Sequence, residues 1–190
     1  MLRTQIWTTA NGITASRLFA APICIWWLTA ESNFLIWCSL VLMLAAEATD
    51  FVDGYVARST ARVTNFGKIL DPMADTIYHS SVFVAFVING WMPVWMFAII
   101  VWRDLTVSYL REIAETQSET LGARMSGKIK AAVQGMAQII LVLMVAMNGI
   151  DSFAPYSITA QSILYIVVAV TIFSLCDYVN SAMRKLLRPS

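Results

Sequence analysis

Four aspartates lie close together in an otherwise apolar part of the sequence. Asp50 and Asp53 are three residues apart, and Asp71 and Asp75 are four apart. At about 100° of rotation per residue, each pair shares one face of a helix. Carboxylates gathered in a partly desolvated place repel one another, so a site that holds four of them needs cations. Oxygen ligands without sulfur or imidazole favour Mg²⁺, Mn²⁺ or Ca²⁺, and four carboxylates suit a two-metal site that promotes phosphoryl displacement.

Small and basic residues accompany the aspartates. Gly54 and Ala57 follow the first pair, and Gly67 precedes the second pair. Because these side chains are small, a ligand can approach the helix backbone beside each pair of aspartates. Arg58 is suited to bind a diphosphate with two parallel hydrogen bonds. Pro72 is expected in the first turn of a helix, where its missing N–H would be unpaired anyway. One aspartate or one pair of small residues more often serves helix packing, but packing does not require the whole set.

The composition indicates which elements hold these residues. Of the 190 residues, 58% are hydrophobic and 13% are charged, whereas soluble domains average roughly 45–50% and about 25%. A water-soluble globule of this composition would expose large apolar patches, and a disordered chain has the opposite composition. The net charge of +1 gives no electrostatic support for a nucleic-acid partner. We therefore expect one integral membrane domain over residues 1–190.

Six apolar runs have lengths near that of a membrane-spanning helix, which needs about 20 residues. They cover residues 13–29, 34–49, 69–88, 93–109, 129–147 and 158–178. The sequence thus predicts an all-α integral membrane protein with six transmembrane helices and short connections. Trp7 predicts a short amphipathic helix at the N-terminus, ahead of the first run.

Basic residues predict the orientation of these helices. All 13 Lys and Arg residues fall on one side of the predicted membrane or in helices close to that side. Because cytoplasmic loops are enriched in Lys and Arg, that side is cytoplasmic, and an even number of crossings places both termini there. The expected location is the inner membrane of a bacterium or its equivalent. Tryptophans near the connections on the opposite side of the predicted membrane indicate an outer aromatic belt: Trp26, Trp27, Trp37, Trp91 and Trp95.

The complete pattern D-x2-D-G-x2-A-R-x8-G-x3-D-x3-D is similar to the motif of the CDP-alcohol phosphotransferase family, and each fixed position is matched. This resemblance implies six transmembrane helices around a polar cavity that faces the cytoplasm, typically in a homodimer. It implies that the four aspartates hold two divalent ions, Mg²⁺ or Mn²⁺, and that Asp75 acts as the general base. It also assigns binding of the cytidine diphosphate group to Asp50, Gly54, Ala57, Arg58 and Gly67, with Asn11, Thr14 and Arg17 on the other side of the site.

Four segments resemble the branch of the family that uses sn-glycerol 3-phosphate as acceptor: Asn11–Arg17, Asp71–Asp75, Arg103–Glu112 and Ser126–Lys130. The resemblance implies transfer of the phosphatidyl group from CDP-diacylglycerol to a hydroxyl of this acceptor, with release of CMP. The expected partners are these two substrates and membrane lipid. Three cations near the predicted cytoplasmic edge are suited to bind the acceptor phosphate: Arg103, Arg111 and Lys128.

Two other functions stay open at this point. Thr76 follows Asp75 where the glycerophosphate branch usually has Lys, so a related transferase that uses inositol phosphate, serine or another alcohol is the first alternative. A divalent-cation transporter is the second, because carboxylates inside membranes often mark ion pathways. The predicted outer half of the protein has almost no acidic residues, which favours a site that opens to one side.

Other polar residues carry less specific predictions. His79 lies one helical turn after Asp75 and is either a hydrogen-bonded packing residue or a group that tunes the base or lines the acceptor pocket. Glu47 lies one turn before Asp50 and is a candidate to support that carboxylate. Four further cations are expected to set topology or to contact anionic lipid: Arg124, Lys130, Arg184 and Lys185.

Overall fold

The computed structural model describes the backbone of residues 9–60, 65–116, 122, 124–150 and 157–186, and the side chains of residues 14–49, 70–114, 116, 122, 124–150 and 157–185. Within these residues the chain forms six helices and no strand: α1 (Thr9–Thr29), α2 (Asn33–Thr60), α3 (Asn65–Ile88), α4 (Val94–Thr116), α5 (Met125–Asn148) and α6 (Ile158–Leu186). The predicted all-helical fold is confirmed. The short N-terminal helix predicted around Trp7 lies outside the described residues.

Each helix matches its apolar run closely at one end and extends beyond it at the other. At the ends predicted to face outward, the boundaries differ by at most one residue: Thr29, Asn33, Ile88, Val94, Asn148 and Ile158. At the opposite ends, every helix continues for at least one turn past the apolar run. Polar residues end the apolar pattern there, but they do not interrupt the backbone hydrogen bonds of the helix.

Pro72 lies inside α3 and not in its first turn, so its predicted place in the helix is wrong. α3 begins at Asn65, and Pro72 lacks the N–H that would otherwise bond the carbonyl of Lys68. The helix continues to Ile88 because one of its faces is buried against the protein. The residues of that face follow one another at four-residue intervals: Ala74, Tyr78 and Val82.

Two glycines follow helix ends in the left-handed region of backbone space. Gly90 follows α3 with a φ of 70°, and Gly149 follows α5 with a φ of 78°. The N–H of Gly149 donates to the carbonyl of Val145 at 2.8 Å, which closes the last turn of α5. Glycine adopts this conformation without the steric penalty of a Cβ, so both helices end at these positions.

The first of two compact units contains α1, α2, α3 and the part of α5 from Gln138 onward. In this unit α1 packs against both α2 and α3. The side-chain nitrogen Nδ2 of Asn89, just after α3, donates to the backbone carbonyl of Leu28 at 2.9 Å. This hydrogen bond joins the ends of α3 and α1. The pairing of α1 with α3 determines which residues meet the second pair of aspartates. The unit is filled by buried apolar side chains, including Cys24, Ile36, Val82, Phe83 and Phe86.

The second compact unit contains α4, the part of α5 up to Ala137, and α6. In this unit α4 packs against α6. Ala114 and Ala182 are both buried, and Leu110 packs against them. Small side chains at such a contact let two helix backbones approach closely. The start of α6 is capped by Ser157, whose hydroxyl oxygen accepts the N–H of Ala160 at 3.3 Å.

The surface of the described helices is apolar enough for lipid. α5 and α6 are each long and hydrophobic enough to span a membrane. Exposed apolar side chains of this size are unfavourable in water, whereas lipid tails are as apolar as leucine. These features indicate a helical protein associated with a membrane. Large apolar side chains are exposed on several helices, including Phe19, Phe34, Trp102, Ile158 and Phe173.

The tryptophans differ in exposure. Trp26, Trp37 and Trp95 are exposed, as side chains in an interfacial belt must be. Trp91 is only 7% exposed, so it packs inside the protein and its predicted place in the belt is wrong.

Candidate functional site

The two halves of the aspartate motif lie on two helices. The first half lies in the C-terminal part of α2, and the second half lies in α3 with Asp71 and Asp75 one turn apart on one face. Seven predicted site residues have side chains outside the described residues: Asn11, Asp50, Asp53, Gly54, Ala57, Arg58 and Gly67. The other predicted site residues are described: Thr14, Arg17, Asp71, Asp75, Arg103, Arg111 and Lys128.

Asp71 is held by a residue of α1. The hydroxyl of Thr14 donates to Oδ1 of Asp71 at 2.5 Å. A short hydrogen bond to a charged acceptor is strong and fixes the orientation of the carboxylate. Thr14 is buried and Asp71 is exposed, so the carboxylate is fixed on the protein side and open on the other.

Asp75 faces a buried cation of α1. Its Oδ1 lies 3.9 Å from a terminal nitrogen of Arg17 and 3.3 Å from Nε2 of His79. The side chain of Arg17 is 7% exposed and that of Asp75 is 37% exposed. The carboxylate therefore offsets the charge of the buried guanidinium while part of it stays accessible. The structure thus brings Thr14 and Arg17 to the aspartates of α3.

His79 lies between two carboxylates. Its Nε2 is 3.3 Å from Oδ1 of Asp75 and 3.8 Å from Oε1 of Glu47. Its Nδ1 is 2.7 Å from the amide oxygen of Gln138 on α5. The sequence-based site does not include Gln138. A glutamine within an apolar helix is a signal for such a contact, because a buried amide needs hydrogen-bond partners.

The described carboxylates of α3 fit a hard divalent cation. Asp71 and Asp75 present oxygen atoms, which Mg²⁺ and Mn²⁺ prefer as ligands. Among the described side chains, no group of three or more His, Cys, Asp or Glu residues is arranged to hold a metal ion. A complete metal site therefore needs donors beyond these side chains, and the motif predicts that Asp50 and Asp53 supply them.

A second polar cluster, in the other unit, surrounds Tyr178. We call it the Tyr178 cluster, and it comprises Arg103, Arg111, Arg124 and Tyr178. Arg111 donates to the Tyr178 hydroxyl at 2.6 Å, and the backbone N–H of Arg124 donates to the same oxygen at 3.0 Å. The guanidinium carbons of Arg103 and Arg111 lie 5.3 and 5.1 Å from the ring centroid, within the range of a cation–π contact. Tyr178 is fully buried, so it fixes the position of both arginines.

Lys130 does not face lipid, so the prediction that it contacts lipid is wrong. Its Nζ donates to both oxygens of Asp104 at 2.8 and 2.9 Å, and the residue is 6% exposed. Arg103 donates to the same carboxylate at 2.9 Å and to the hydroxyl of Ser174 at 2.7 Å. The sequence-based site does not include Asp104, although an acid beside a basic residue in an apolar helix is a signal for a buried ion pair.

Arg124 is held by an acid of α6 and does more than set topology. Its Nε and a terminal nitrogen each donate to Asp177 at 2.6 Å, and Ser126 donates to the same carboxylate at 2.5 Å. The hydrogen bonds that Arg124 donates to the Asp177 carboxylate raise the pKa of its guanidinium above its usual value.

The remaining cations that the structure describes in this unit are exposed. Arg184 and Lys185 lie in the last turn of α6, where positive charge complements the helix dipole. Lys128 is exposed; its backbone N–H donates to the carbonyl of Arg124 at 3.2 Å, but within the described residues its side chain makes no hydrogen bond or ion pair with the Tyr178 cluster. Of the three cations predicted to bind the acceptor phosphate, the structure brings Arg103 and Arg111 together and leaves Lys128 outside their contacts.

Gly127 is required by the position of Tyr178. A Cβ at Gly127 would lie 2.9 Å from the Tyr178 hydroxyl and 3.2 Å from its Cε2. Gly127→Ala should displace this buried hydroxyl and weaken the hydrogen bonds it accepts. The higher helix propensity of alanine, about 1 kcal/mol, offsets part of the loss. We expect the free energy of unfolding in detergent to fall by about 1–2 kcal/mol.

The matched control for this substitution is Gly122→Ala, because a Cβ at Gly122 has nothing within 4 Å. Unfolding followed by circular dichroism should show no loss for the control. An unchanged Gly127→Ala protein, or an equal loss in both proteins, would contradict the steric explanation.

The sequence of this chain matches one protein family over most of its length. The family of CDP-alcohol phosphatidyltransferases matches residues 7–174. The chain therefore belongs to the CDP-alcohol phosphatidyltransferase family, and the family predicted from the aspartate motif is confirmed.

Several relatives carry the same name, CDP-diacylglycerol–glycerol-3-phosphate 3-phosphatidyltransferase. One from Arabidopsis thaliana, numbered 2, is 30% identical over 98% of this chain and 84% of its own length. One from Cereibacter sphaeroides is 32% identical over 80% of this chain and 71% of its own length. One from Bacillus subtilis is 41% identical over 54% of this chain. The chain spans about half the length of the relatives from Treponema pallidum and B. subtilis, 52% and 53%.

Proposed function

We propose that this chain transfers the phosphatidyl group of CDP-diacylglycerol to a hydroxyl of sn-glycerol 3-phosphate and releases CMP. The observation that carries this proposal is the family match over residues 7–174, within which all four aspartates of the motif are present. The acceptor is inferred from the relatives whose names specify glycerol 3-phosphate. The product is phosphatidylglycerophosphate, so the reaction belongs to phospholipid biosynthesis.

The proposed reaction is a direct displacement at phosphorus. The acceptor hydroxyl attacks the phosphorus that bears the diacylglycerol, and the bond from this phosphorus to CMP breaks. Asp75 accepts the proton of the attacking hydroxyl, a role that its partly exposed carboxylate supports. Two Mg²⁺ or Mn²⁺ ions held by the four aspartates would supply positive charge for the diphosphate and for the leaving CMP.

The cytidine diphosphate group is proposed to bind along the motif. Arg58 would bind the phosphates, and the small residues would leave room for the nucleoside. The contacts of Thr14 and Arg17 with the aspartates of α3 support a second wall of the site on α1. The residues assigned to this group are Asn11, Thr14, Arg17, Asp50, Gly54, Ala57, Arg58 and Gly67.

The acceptor phosphate is proposed to bind Arg103, Arg111 and Lys128. Within the described residues, the Nε atoms of Arg103 and Arg111 are buried without a hydrogen-bond partner. A buried donor without a partner is unfavourable, and a phosphate is a strong acceptor for guanidinium groups. Lys128 is exposed and would approach the phosphate from solvent.

The proposed setting is a membrane. Each of the six helices has at least 21 residues, and about 20 suffice for a crossing. We infer six crossings around a polar cavity that faces the cytoplasm, with both termini on that side. The membrane is the bacterial inner membrane or its equivalent, and the functional unit is a homodimer surrounded by membrane lipid.

The proposed function is tested with purified protein in lipid nanodiscs. With CDP-diacylglycerol and Mg²⁺ present, CMP should be released when sn-glycerol 3-phosphate is added, and should not be released with inositol phosphate or serine. Chelation by EDTA should abolish turnover, and added Mg²⁺ or Mn²⁺ should restore it. CMP is measured by chromatography, and the lipid product is identified by mass spectrometry.

The other outcomes distinguish the alternatives. Product from inositol phosphate or serine, without product from glycerol 3-phosphate, would assign a related transferase and correct the acceptor. Absence of CMP release with all acceptors, together with Mn²⁺ uptake into proteoliposomes, would favour a cation transporter.

A further inference from the structure

The orientation of the His79 ring is fixed by Gln138. The amide nitrogen of Gln138 donates to the backbone carbonyl of His79 at 2.8 Å. Because this nitrogen faces a carbonyl, the amide oxygen of the same side chain must face Nδ1 of the ring, at 2.7 Å. An amide oxygen only accepts hydrogen bonds, so Nδ1 of His79 carries a proton.

The other ring nitrogen is thereby directed at the proposed base. With Nδ1 held by Gln138, Nε2 lies 3.3 Å from Oδ1 of Asp75 and 3.8 Å from Oε1 of Glu47. The Asp75 carboxylate thus has two close neighbours, Nε2 of the His79 ring at 3.3 Å and a terminal nitrogen of Arg17 at 3.9 Å. These contacts limit the directions in which its carboxylate can point.

Gln138 is an unusual residue for this part of the molecule. It is 1% exposed and lies on α5, one of the two described helices that are apolar enough to span a membrane. Both polar atoms of its side chain are used by one residue, His79. A buried amide is unfavourable without such bonds, so its presence calls for a role that an apolar residue cannot fill.

We propose that His79 and Gln138 are positioning residues that hold the Asp75 carboxylate in the direction needed for phosphatidyl transfer. This inference rests on the proposed function, in which Asp75 accepts the proton of the acceptor hydroxyl. Neither residue needs to touch the substrate. Small errors in the direction of a catalytic group reduce the rate strongly, by about 100-fold for displacements near 1 Å.

A kinetic comparison tests this role. Gln138→Leu removes both hydrogen bonds of the amide and should lower kcat by about 10- to 100-fold. The KM values for CDP-diacylglycerol and for glycerol 3-phosphate should stay within about twofold, because the substrate contacts are unchanged. Gln134→Leu is the matched control, because Gln134 lies one turn earlier on α5 and is also buried, at 2% exposure. It should keep the kcat of the unmodified protein.

A conservative variant separates positioning from packing. Gln138→Glu keeps an acceptor for Nδ1 of His79, whereas Gln138→Leu does not. A carboxylate in this buried place should lower the thermal stability more than leucine does. We nevertheless expect kcat for Gln138→Glu to exceed that for Gln138→Leu by about fivefold or more. A packing role predicts that kcat follows stability in both variants, and that result would overturn the proposal.

The single histidine of the chain gives a second readout that does not depend on turnover. In protein labelled with ¹⁵N-histidine, NMR should show one imidazole with a protonated Nδ1, and Gln138→Leu should change that signal. An unprotonated Nδ1, or a spectrum unchanged by the substitution, would overturn the arrangement. Unmodified protein that releases no CMP would overturn the proposed function, whereas active protein with an unchanged kcat in Gln138→Leu would overturn only the positioning role.

Discussion

Asp75→Asn is expected to lower kcat by about 1,000-fold, because general base catalysis contributes about 10²- to 10⁴-fold. Asparagine has nearly the same shape as aspartate but does not accept the proton of the acceptor hydroxyl. Its amide keeps an oxygen that can face Arg17, which lies 3.9 Å from Oδ1 of Asp75. The loss should therefore appear in kcat, measured as CMP release at saturating substrates.

Two controls make this result specific. Glu31→Gln removes an exposed carboxylate outside the helices and should leave turnover unchanged. Raising the Mg²⁺ concentration should not restore the Asp75→Asn protein if proton transfer is lost, whereas it should restore a protein that has only a weakened metal site. Full turnover by Asp75→Asn would exclude Asp75 as the base.

Most helix boundaries could be predicted from the sequence, and the reason is physical. Hydrophobic runs report where a helix meets an apolar environment, and the ends predicted to face outward agree with the structure to within one residue at Thr29, Ile88 and Ile158. The opposite ends could not be predicted in this way, since polar residues such as those after Thr49 and before Ile69 stay helical. The misplaced start of α3 has the same origin.

The aspartate motif could be recognised in the sequence because its residue types and spacing are specific. The partners of these residues were harder to predict, because they come from helices far away in the sequence. Gln138 meets His79 across 59 positions, and Arg124 meets Asp177 across 53 positions. No local pattern encodes such pairs, although each has a polar residue in an apolar run as its signal.

Asp104→Asn is expected to lower the free energy of unfolding by about 3–5 kcal/mol, the range for breaking a buried ion pair. The Asp104 carboxylate accepts hydrogen bonds from Lys130 at 2.8 and 2.9 Å and from Arg103 at 2.9 Å. The side chains of the three residues are between 8% and 14% exposed. Asparagine removes the negative charge that both buried cations share, while it keeps the size of the side chain.

A double-mutant cycle with Lys130→Met tests whether the loss comes from charge. Lys130→Met alone should also destabilise the protein, but less, because Arg103 still faces Asp104 at 2.9 Å. Asp104→Asn combined with Lys130→Met removes one charge of each sign, so the combined loss should be smaller than the sum of the two by about 1–3 kcal/mol. Unfolding is measured in mixed micelles by titration with a denaturing detergent. If Lys130 were only a lipid-facing cation, Lys130→Met would leave stability unchanged and the two substitutions would add.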